Sequence, residues 1–432
     1  MNFNKKVAFY TLGCKVNQYE TESIKNQLIN RGYTEVNFEE KSDIYIVNSC
    51  TVTSIADRKT RNILRRAKKN NPNSKVIITG CYAQTNSKEI LEIKEVDFVI
   101  GNKDKSSIVN FLDAIEKIDA EKIKNGNIFD EKEYKEYEFA TLREMTRAYV
   151  KIQDGCNLFC SYCKIPFARG RSRSRKKENI LNEIEKLSEE GFKEIILIGI
   201  NLSSYGEDLE DKITFEDLLR DILKINGIER IRIGSIYPDK ISDEFINLFQ
   251  QNKKLMPHLH ISLQSCDDEV LKMMNRKYGS QLIRDSLIKL KKSVKNMEYT
   301  ADVIVGFPGE TEEMFYNTYK VIKEIEFSNI HIFPYSDREG TRASKMKNKV
   351  DSVTKKERVN ILDKLKKEMY FESREKYLNK NLSVLIEEEK NGEYFGYSEN
   401  YMRVCIKNKK IKINDIVDVT PLSIENGELS TY

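Results

Sequence analysis

The run Asp154-Gly-Cys-Asn-Leu-Phe-Cys-Ser-Tyr-Cys-Lys-Ile-Pro166 spaces Cys156, Cys160 and Cys163 as C-x3-C-x2-C, directly after a strand pattern at 149–153. No fourth cysteine follows nearby. Three thiolates can hold three irons of a [4Fe–4S] cluster and leave the fourth iron open to chemistry, whereas four-cysteine ligation suits electron transfer. Three buried core thiols, or a zinc site completed by a distant ligand, are the alternatives. Zinc sites usually come as two C-x2-C pairs, and the only histidines are His258, His260 and His331; the spacing therefore favours a cluster. Outward from this run, further strand patterns at 194–198, 230–233, 258–263, 301–305 and 329–333 alternate with helices. Six βα units predict an open (βα)6 barrel with its chemistry at the C-terminal ends of the strands.

Upstream, one pattern repeats. Strand 7–12 precedes Gly13-Cys14, strand 44–47 precedes Asn48-Ser-Cys50, and strand 76–79 precedes Gly80-Cys81, with helical patterns at 20–30 and 55–69. This alternation predicts an α/β domain with a parallel sheet. Side-by-side parallel strands end on one edge, where such sheets bind ligands. Cys14, Cys50 and Cys81 are thus expected to converge as a second three-thiolate site. Small buried hydrophobes are the alternative, but three cysteines in the same local context favour the site.

A chain of 432 residues has room for two to three domains. Its 39% hydrophobic and 33% charged residues fit a soluble globular protein. No apolar run approaches the ~18 residues of a membrane span, and the N-terminus lacks a secretory pattern. A cytoplasmic, reducing location is expected, in which the eight cysteines are ligands rather than disulfides. Net charge is only +5, so a polyanion site must come from local clustering.

The C-x3-C-x2-C run with its aromatic filler resembles the signature of radical S-adenosylmethionine (SAM) enzymes. Thr11-Leu-Gly-Cys-Lys-Val-Asn-Gln-Tyr-Glu-Thr21, Asn48-Ser-Cys-Thr-Val-Thr53 and Thr79-Gly-Cys-Tyr-Ala-Gln84 resemble the three cysteine motifs of the methylthiotransferases, and the likeness covers essentially the whole chain. Gly-Cys-Lys-Val-Asn-Gln is most similar to the branch acting on N6-threonylcarbamoyladenosine in tRNA. The isopentenyladenosine branch typically reads Gly-Cys-Gln-Met-Asn, and the ribosomal-protein branch reads closer to Gly-Cys-Pro-Lys-Asn. The resemblance implies two [4Fe–4S] clusters, one on Cys156, Cys160 and Cys163 and an auxiliary one on Cys14, Cys50 and Cys81. It implies that SAM chelates the open iron of the first and is cleaved there to a 5′-deoxyadenosyl radical. A further SAM would methylate sulfur held on the second, and the methylthio group would be delivered to adenine C2 at tRNA position 37. C2–H has no useful acidity, which accounts for clusters in place of an acid–base dyad. The implied partners are the tRNA anticodon stem-loop, an electron donor such as flavodoxin or ferredoxin, and a sulfur source, with no membrane. A methylthiotransferase acting on a ribosomal-protein aspartate, or a non-enzymatic iron–sulfur RNA-binding protein, are the rival readings.

Polar and glycine residues collect at the barrel strand ends. Gly199 and Asn201 follow the second strand, where glycine admits the methionyl end of SAM. Ser235 follows the third, and Ser262 and Gln264 at the fourth suit ribose hydroxyls. The Gly306-Phe-Pro-Gly309-Glu310 turn follows the fifth and could cradle adenine. Cys266 stands where the family usually has glycine and is read as a non-ligand, and Cys405 as core.

Arg169-Gly-Arg171-Ser-Arg173-Ser-Arg175-Lys-Lys177 carries six positive charges in nine residues at the predicted mouth of the site, and is read as phosphate-contacting. A second basic run spans 58–69 on a helix. Segment 114–143 reads as a linker with a peripheral helix, and 354–378 as a helix leading out of the barrel. Beyond it, strand patterns at 382–387, 394–398, 402–406 and 416–421 with an Asn391-Gly392 turn resemble the TRAM module, a small all-β RNA-binding barrel. There Lys407, Lys409, Lys410 and Lys412 would meet phosphates, and Tyr394, Tyr397 and Tyr401 could stack on bases or fill the module's own core. The expected domains are 1–130, 145–370 and 371–432.

Overall fold

The computed structural model describes residues 5–115, 122–137, 146–407 and 410–432. Lys409 lies outside them.

The N-terminal sheet is built on four parallel strands in the order β1 (Lys6–Thr11), β2 (Ile44–Ser49), β3 (Lys75–Gly80) and β4 (Phe98–Ile100), with two-residue edge strands Thr34–Glu35 and Ile123–Lys124. Alternation along the strands sends Ala8, Tyr45, Val47, Val76 and Ile78 to one apolar layer and Val7, Ile44, Ile46 and Ile77 to the other. Both faces are covered, as parallel sheets require. Helix α1 (Lys15–Asn30) follows β1, and α2 (Ser54–Asn70) follows β2. The Thr53 side chain caps α2 at the Ala56 N–H, with Asp57 in its first turn and Lys68 and Lys69 in its last.

The segment expected as a linker is partly structural. Ile123–Lys124 joins the sheet, Ile128 is buried, and the Tyr134 hydroxyl donates to the Lys151 carbonyl. These contacts are made by single residues, which charge-dominated composition conceals. Residues 116–121 and 138–145 lie outside the described residues.

Six strands form the central unit: β5 (Arg147–Lys151), β6 (Glu194–Ile198), β7 (Arg230–Ile233), β8 (His258–Gln264), β9 (Glu298–Val305) and β10 (Asn329–Pro334). β5, β6 and β7 pair in parallel, as do β8, β9 and β10. The third strand links the two sheets: β7 pairs with β6, and its continuation Ser235–Ile236 pairs with β8. Among the described residues, no ladder joins β5 to β10. The 24-residue helix Ser352–Glu375 leads out of this unit and runs through the expected 370/371 boundary.

The C-terminal module is a six-stranded sheet made from β11 (Leu382–Lys390), β12 (Glu393–Ser398), β13 (Arg403–Ile406), β14 (Ile416–Val419), β15 (Ser423–Glu425) and β16 (Glu428–Ser430), ordered β14-β11-β12-β13-β16-β15. Asn391 and Gly392 turn the first hairpin at φ 55° and 77°. Asn426 and Gly427, at φ 52° and 81°, turn a last hairpin that the sequence reading missed although it carries the same Asn-Gly signal. The module docks on the N-terminal ends of the barrel strands. Arg147 pairs with Glu387 at 2.6 Å, Arg230 donates to Ser383 at 2.9 Å, and Arg232 donates to the Ser398 carbonyl at 2.7 Å. No described helix is long and apolar enough to cross a membrane.

Candidate active site

Cys14, Cys50 and Cys81 stand just beyond the ends of β1, β2 and β3, which are neighbours in the sheet. They are close enough to act on one another electrically: burial, then Cys81 and Cys14, pushes the Cys50 thiol up to about 12. Gly13 shows how tight the approach is. Its φ is +106°, and a Cβ there would lie 2.9 Å from Cys50 Cβ. Cys14 is open to a large internal cavity yet deep within the protein, so desolvation still raises its thiol.

Cys156, Cys160 and Cys163 lie in the loop beyond β5. Burial is the main cause of raised thiols at Cys156, to about 11, and at Cys163, to about 12, and Cys160 adds to both. Asn201, after β6, lies near enough to Cys156 to lower its thiol pKa slightly against burial. Arg276 is buried beside this triad and over the Tyr237 ring, with Nη2 donating to Tyr162 at 2.9 Å, while among the described residues Nε and Nη1 have no hydrogen-bond partner.

The donor sets fit clusters better than zinc. Tetrahedral Zn–S bonds of about 2.3 Å draw the sulfurs to within about 4 Å of each other. Among the described residues, the His/Cys/Asp/Glu trio whose ligand atoms all lie within 4.8 Å is His260, Asp302 and His331, and neither cysteine triad is so contracted. Thiolates set this close repel one another, and bound iron would supply the positive charge that lets them ionise together.

The two triads are tied together by buried ion pairs. Glu20 of α1 accepts hydrogen bonds from Lys105 at 2.5 Å, Lys151 at 2.7 Å and Arg169 at 2.8 Å. Asp154, two residues before Cys156, accepts from Lys151 at 2.7 Å and Arg169 at 3.0 Å. Arg169 also donates to Asn17 at 2.6 Å. Asn102 donates to the Ala168 carbonyl at 2.8 Å and approaches the Cys81 sulfur at 3.6 Å. Beyond Cys50, Asp57 and Thr51 accept from Arg338, which follows β10, at 2.6 and 2.7 Å.

This network corrects the reading of the basic run. Arg169, Arg173 and Arg175 are buried, and Arg169 is only 1% exposed. Arg173 donates to the Arg169 and Arg171 carbonyls, and Arg175 pairs with Glu183 and Glu136. Their partners lie elsewhere in the chain, so local charge density misread them as surface. Arg171 is exposed, over the Phe159 ring. In the C-terminal module Lys407 and Lys410 are exposed, and Lys407 pairs with Glu393. Tyr397 and Tyr401 stack on each other at 4.7 Å, and Tyr401 stacks on His258 at 4.6 Å, with Arg147 and Arg232 over their rings. These two tyrosines join module to barrel instead of being laid out for bases.

A cavity of about 890 Å³ lies within the central unit and reaches both flanking modules. Gly13, Cys14 and Lys15 form one wall, and Gly199 and Ser235 lie at strand ends. His258, His260, Asp302 and His331 line the interior, and Tyr401 and Arg403 bound it on the far side. Sequence reading passed over these histidines, although the alternation His258-Leu-His260 places both on one face. Burial keeps His258 well below the usual imidazole range, with Arg232, His260 and Lys15 acting the same way.

Other expected SAM residues fall outside this wall. Ser262 is half-buried and its carbonyl accepts from Tyr278, while Gln264 sits at a register shift in β8 with φ +69°. The Gly306–Gly309 turn is braced by its own chain: Gly306 N–H donates to Glu310 at 2.6 Å, Glu310 pairs with Arg358 at 2.5 Å, and Phe307 is fully buried. Cys266 lies in the apolar core, and Cys405 is buried near Glu393 and Tyr432.

Two family models match the chain: "Uncharacterized protein family UPF0004" over residues 6–101 and "Radical SAM superfamily" over residues 150–322. The threonylcarbamoyladenosine tRNA methylthiotransferase MtaB of Bacillus subtilis is 43% identical, covering 96% of this chain and 93% of that protein. The protein of the same name from Thermotoga maritima is 37% identical, covering 99% and 96%. The tRNA-2-methylthio-N(6)-dimethylallyladenosine synthase of Clostridium botulinum is 38% identical, covering 87% and 85%. Among solved structures, the radical SAM methyltransferase TsrM of Kitasatospora setae aligns with TM-score 0.57 at 13% identity, covering 77% of this chain and 75% of that one, a likeness of fold alone.

Proposed function

The chain belongs to the methylthiotransferase family of radical SAM enzymes, and from that premise we propose that it converts N6-threonylcarbamoyladenosine at tRNA position 37 to its 2-methylthio derivative. The observation that carries this reading is the placement of Cys14: a thiol of the N-terminal triad opens into the cavity that the radical SAM barrel itself encloses. A sulfur-bearing site and a radical-generating site then serve one substrate position.

When bound, two [4Fe–4S] clusters and SAM supply the radical and the methylated sulfur. Cys156, Cys160 and Cys163 would hold one cluster, and Cys14, Cys50 and Cys81 the other. The chain's own residues do the rest. Glu20, Asp154 and Arg169 hold the two triads in register. Gly199 and Ser235 line the space offered to SAM and substrate. Exposed Arg171, Lys407 and Lys410 are proposed RNA contacts, and an electron donor and a sulfur source complete the reaction.

Nucleoside mass spectrometry tests the reading. tRNA from cells lacking this gene should accumulate N6-threonylcarbamoyladenosine without its methylthio derivative. Loss of methylthiolated isopentenyladenosine instead, or of a methylthiolated ribosomal-protein aspartate, would overturn it.

A further inference from the structure

We infer that Lys15 is the specificity residue that receives the carboxylate of the substrate's threonylcarbamoyl group, inside the cavity and directly beside the sulfur-bearing triad. This inference rests on the function proposed above.

Four long cationic side chains line the cavity: Lys15, Arg232, Arg374 and Arg403. Three are committed. Arg232 donates to Glu194 at 2.6 Å and to the Ser398 and Glu399 carbonyls. Arg403 pairs with Glu388 and Glu428. Arg374 donates to the Tyr370 carbonyl and Ser373 and lies on the Tyr370 ring. Among the described residues, the Lys15 ammonium has neither a carboxylate within ion-pair reach nor a hydrogen-bond acceptor, only the Tyr149 ring at 5.9 Å. Burial lowers its pKa; the Tyr401 phenol and, more weakly, the Glu194 carboxylate oppose that from a distance, and Arg147 and Arg232 add to it. The side chain is open to the cavity with no anion in contact, so a ligand carboxylate can supply the direct pair that Glu194 is too distant to make.

Position and chemistry then select the ligand group. Lys15 follows Cys14, the triad member that faces the cavity. Adenine C2 and C6 flank N1 on one ring edge, so a base offering C2 to that triad holds its N6 substituent beside the same wall. The substituent ends in a carboxylate, which charge-assisted hydrogen bonds from an ammonium suit. An isopentenyl group in that place would leave the ammonium unpaired, so Lys15 both attracts one substrate and rejects the other. Arg169 and Arg171, the arginines that follow the cluster loop, fit less well. Arg169 is consumed by Glu20 and Asp154, and Arg171 does not line the cavity.

The test is a cycle between enzyme and substrate. Cluster-loaded wild type, Lys15→Ala and Lys15→Arg, matched for iron content, are assayed on anticodon stem-loop RNA bearing N6-threonylcarbamoyladenosine or its methyl ester. With wild type, the ester should raise KM about 10- to 100-fold, the range of one charged hydrogen-bond set. Lys15→Ala should raise KM for the free acid by a similar factor and add little on the ester, because the partner is already gone. Lys15→Arg should recover most of the loss. Equal penalties on acid and ester, or no penalty on either, would overturn the assignment of Lys15. Wild type that leaves the free-acid RNA unmodified would overturn the functional reading itself, and the inference with it.

Discussion

Glu20 joins three cations that come from different parts of the chain, and it is 1% exposed. Burial alone would raise its pKa, but Arg169, Lys105 and Lys151 outweigh burial and hold it well below the usual carboxylate range. A depressed folded-state value means that the stabilisation is fully present above the unfolded pKa of about 4.3 and is lost as pH falls below it. Glu20→Gln leaves three buried cations under-neutralised and should cost about 3–5 kcal/mol in chemical denaturation at neutral pH. The gap between wild type and variant should close on acidification; a gap that widened would contradict the network. At Gly13 the constraint is steric, since any side chain collides with Cys50 at a positive φ. Gly13→Ala should therefore deplete iron from the N-terminal triad in reconstituted protein while leaving the other triad filled. The motif Gly-Cys-Lys-Val-Asn-Gln-Tyr-Glu was legible as a cysteine motif, but the partners of its Glu20 and Asn17 were not. Arg169 is 149 residues from Glu20, and no local pattern pairs them.

Helix α2 shows the same divide at the scale of an element. Its basic run was visible, but three of its seven basic residues are spent on the protein itself. Arg61 bonds Tyr82, Arg66 pairs with Glu39, and Lys68 pairs with Asp97. Arg58, Arg65 and Lys69 are exposed and recur at spacings that return to one helix face. Exposed Val52 and Ile55 lie at its start, beside Cys50. We propose this stripe as a phosphate-contacting face. Reversing Arg58, Arg65 and Lys69 to Glu should weaken tRNA binding and flatten the dependence of log affinity on log salt by up to about 0.7–0.9 for each phosphate no longer neutralised. The weakening should be equal for tRNA with and without the threonylcarbamoyl group, because phosphate contacts carry no base information. An unchanged salt slope would place the tRNA elsewhere. Strands were easier to read than charges: the patterns at 194–198 and 230–233 coincide with β6 and β7 because an apolar run between turns has one use in a βα unit. The hairpin at Asn426-Gly427 was missed because its three-residue strands are too short for alternation to register.

At the scale of the molecule, Cys14 of one triad lines the central cavity, and the other triad lies in the loop beyond β5, tied to the first by Glu20, Asp154 and Arg169. Glu20 with Arg169, and Asp57 with Arg338, clamp the N-terminal domain to the barrel on both sides of that arrangement. The convergence of Cys14, Cys50 and Cys81 could be read from sequence because parallel strands end on one edge. The cavity could not, since its walls come from three modules whose docking depends on ion pairs between distant residues. The arrangement makes the triads separable in experiment. Fully reconstituted protein should hold about eight irons, two clusters of four. Replacing Cys156, Cys160 and Cys163 together with alanine should remove about half and leave the spectrum of the other cluster. Wild type that saturates at about four irons would refute the second cluster. Function should divide along the same line. Cys160→Ala removes a ligand of the SAM-cleaving site, so reduced enzyme given SAM should form no 5′-deoxyadenosine. Cys50→Ala leaves that site intact, so 5′-deoxyadenosine should still form while no methylthiolated nucleoside appears. If Cys50→Ala yielded full product, Cys14, Cys50 and Cys81 would be structural thiols, and the sulfur would have to reach adenine C2 from a site that these strand ends do not provide.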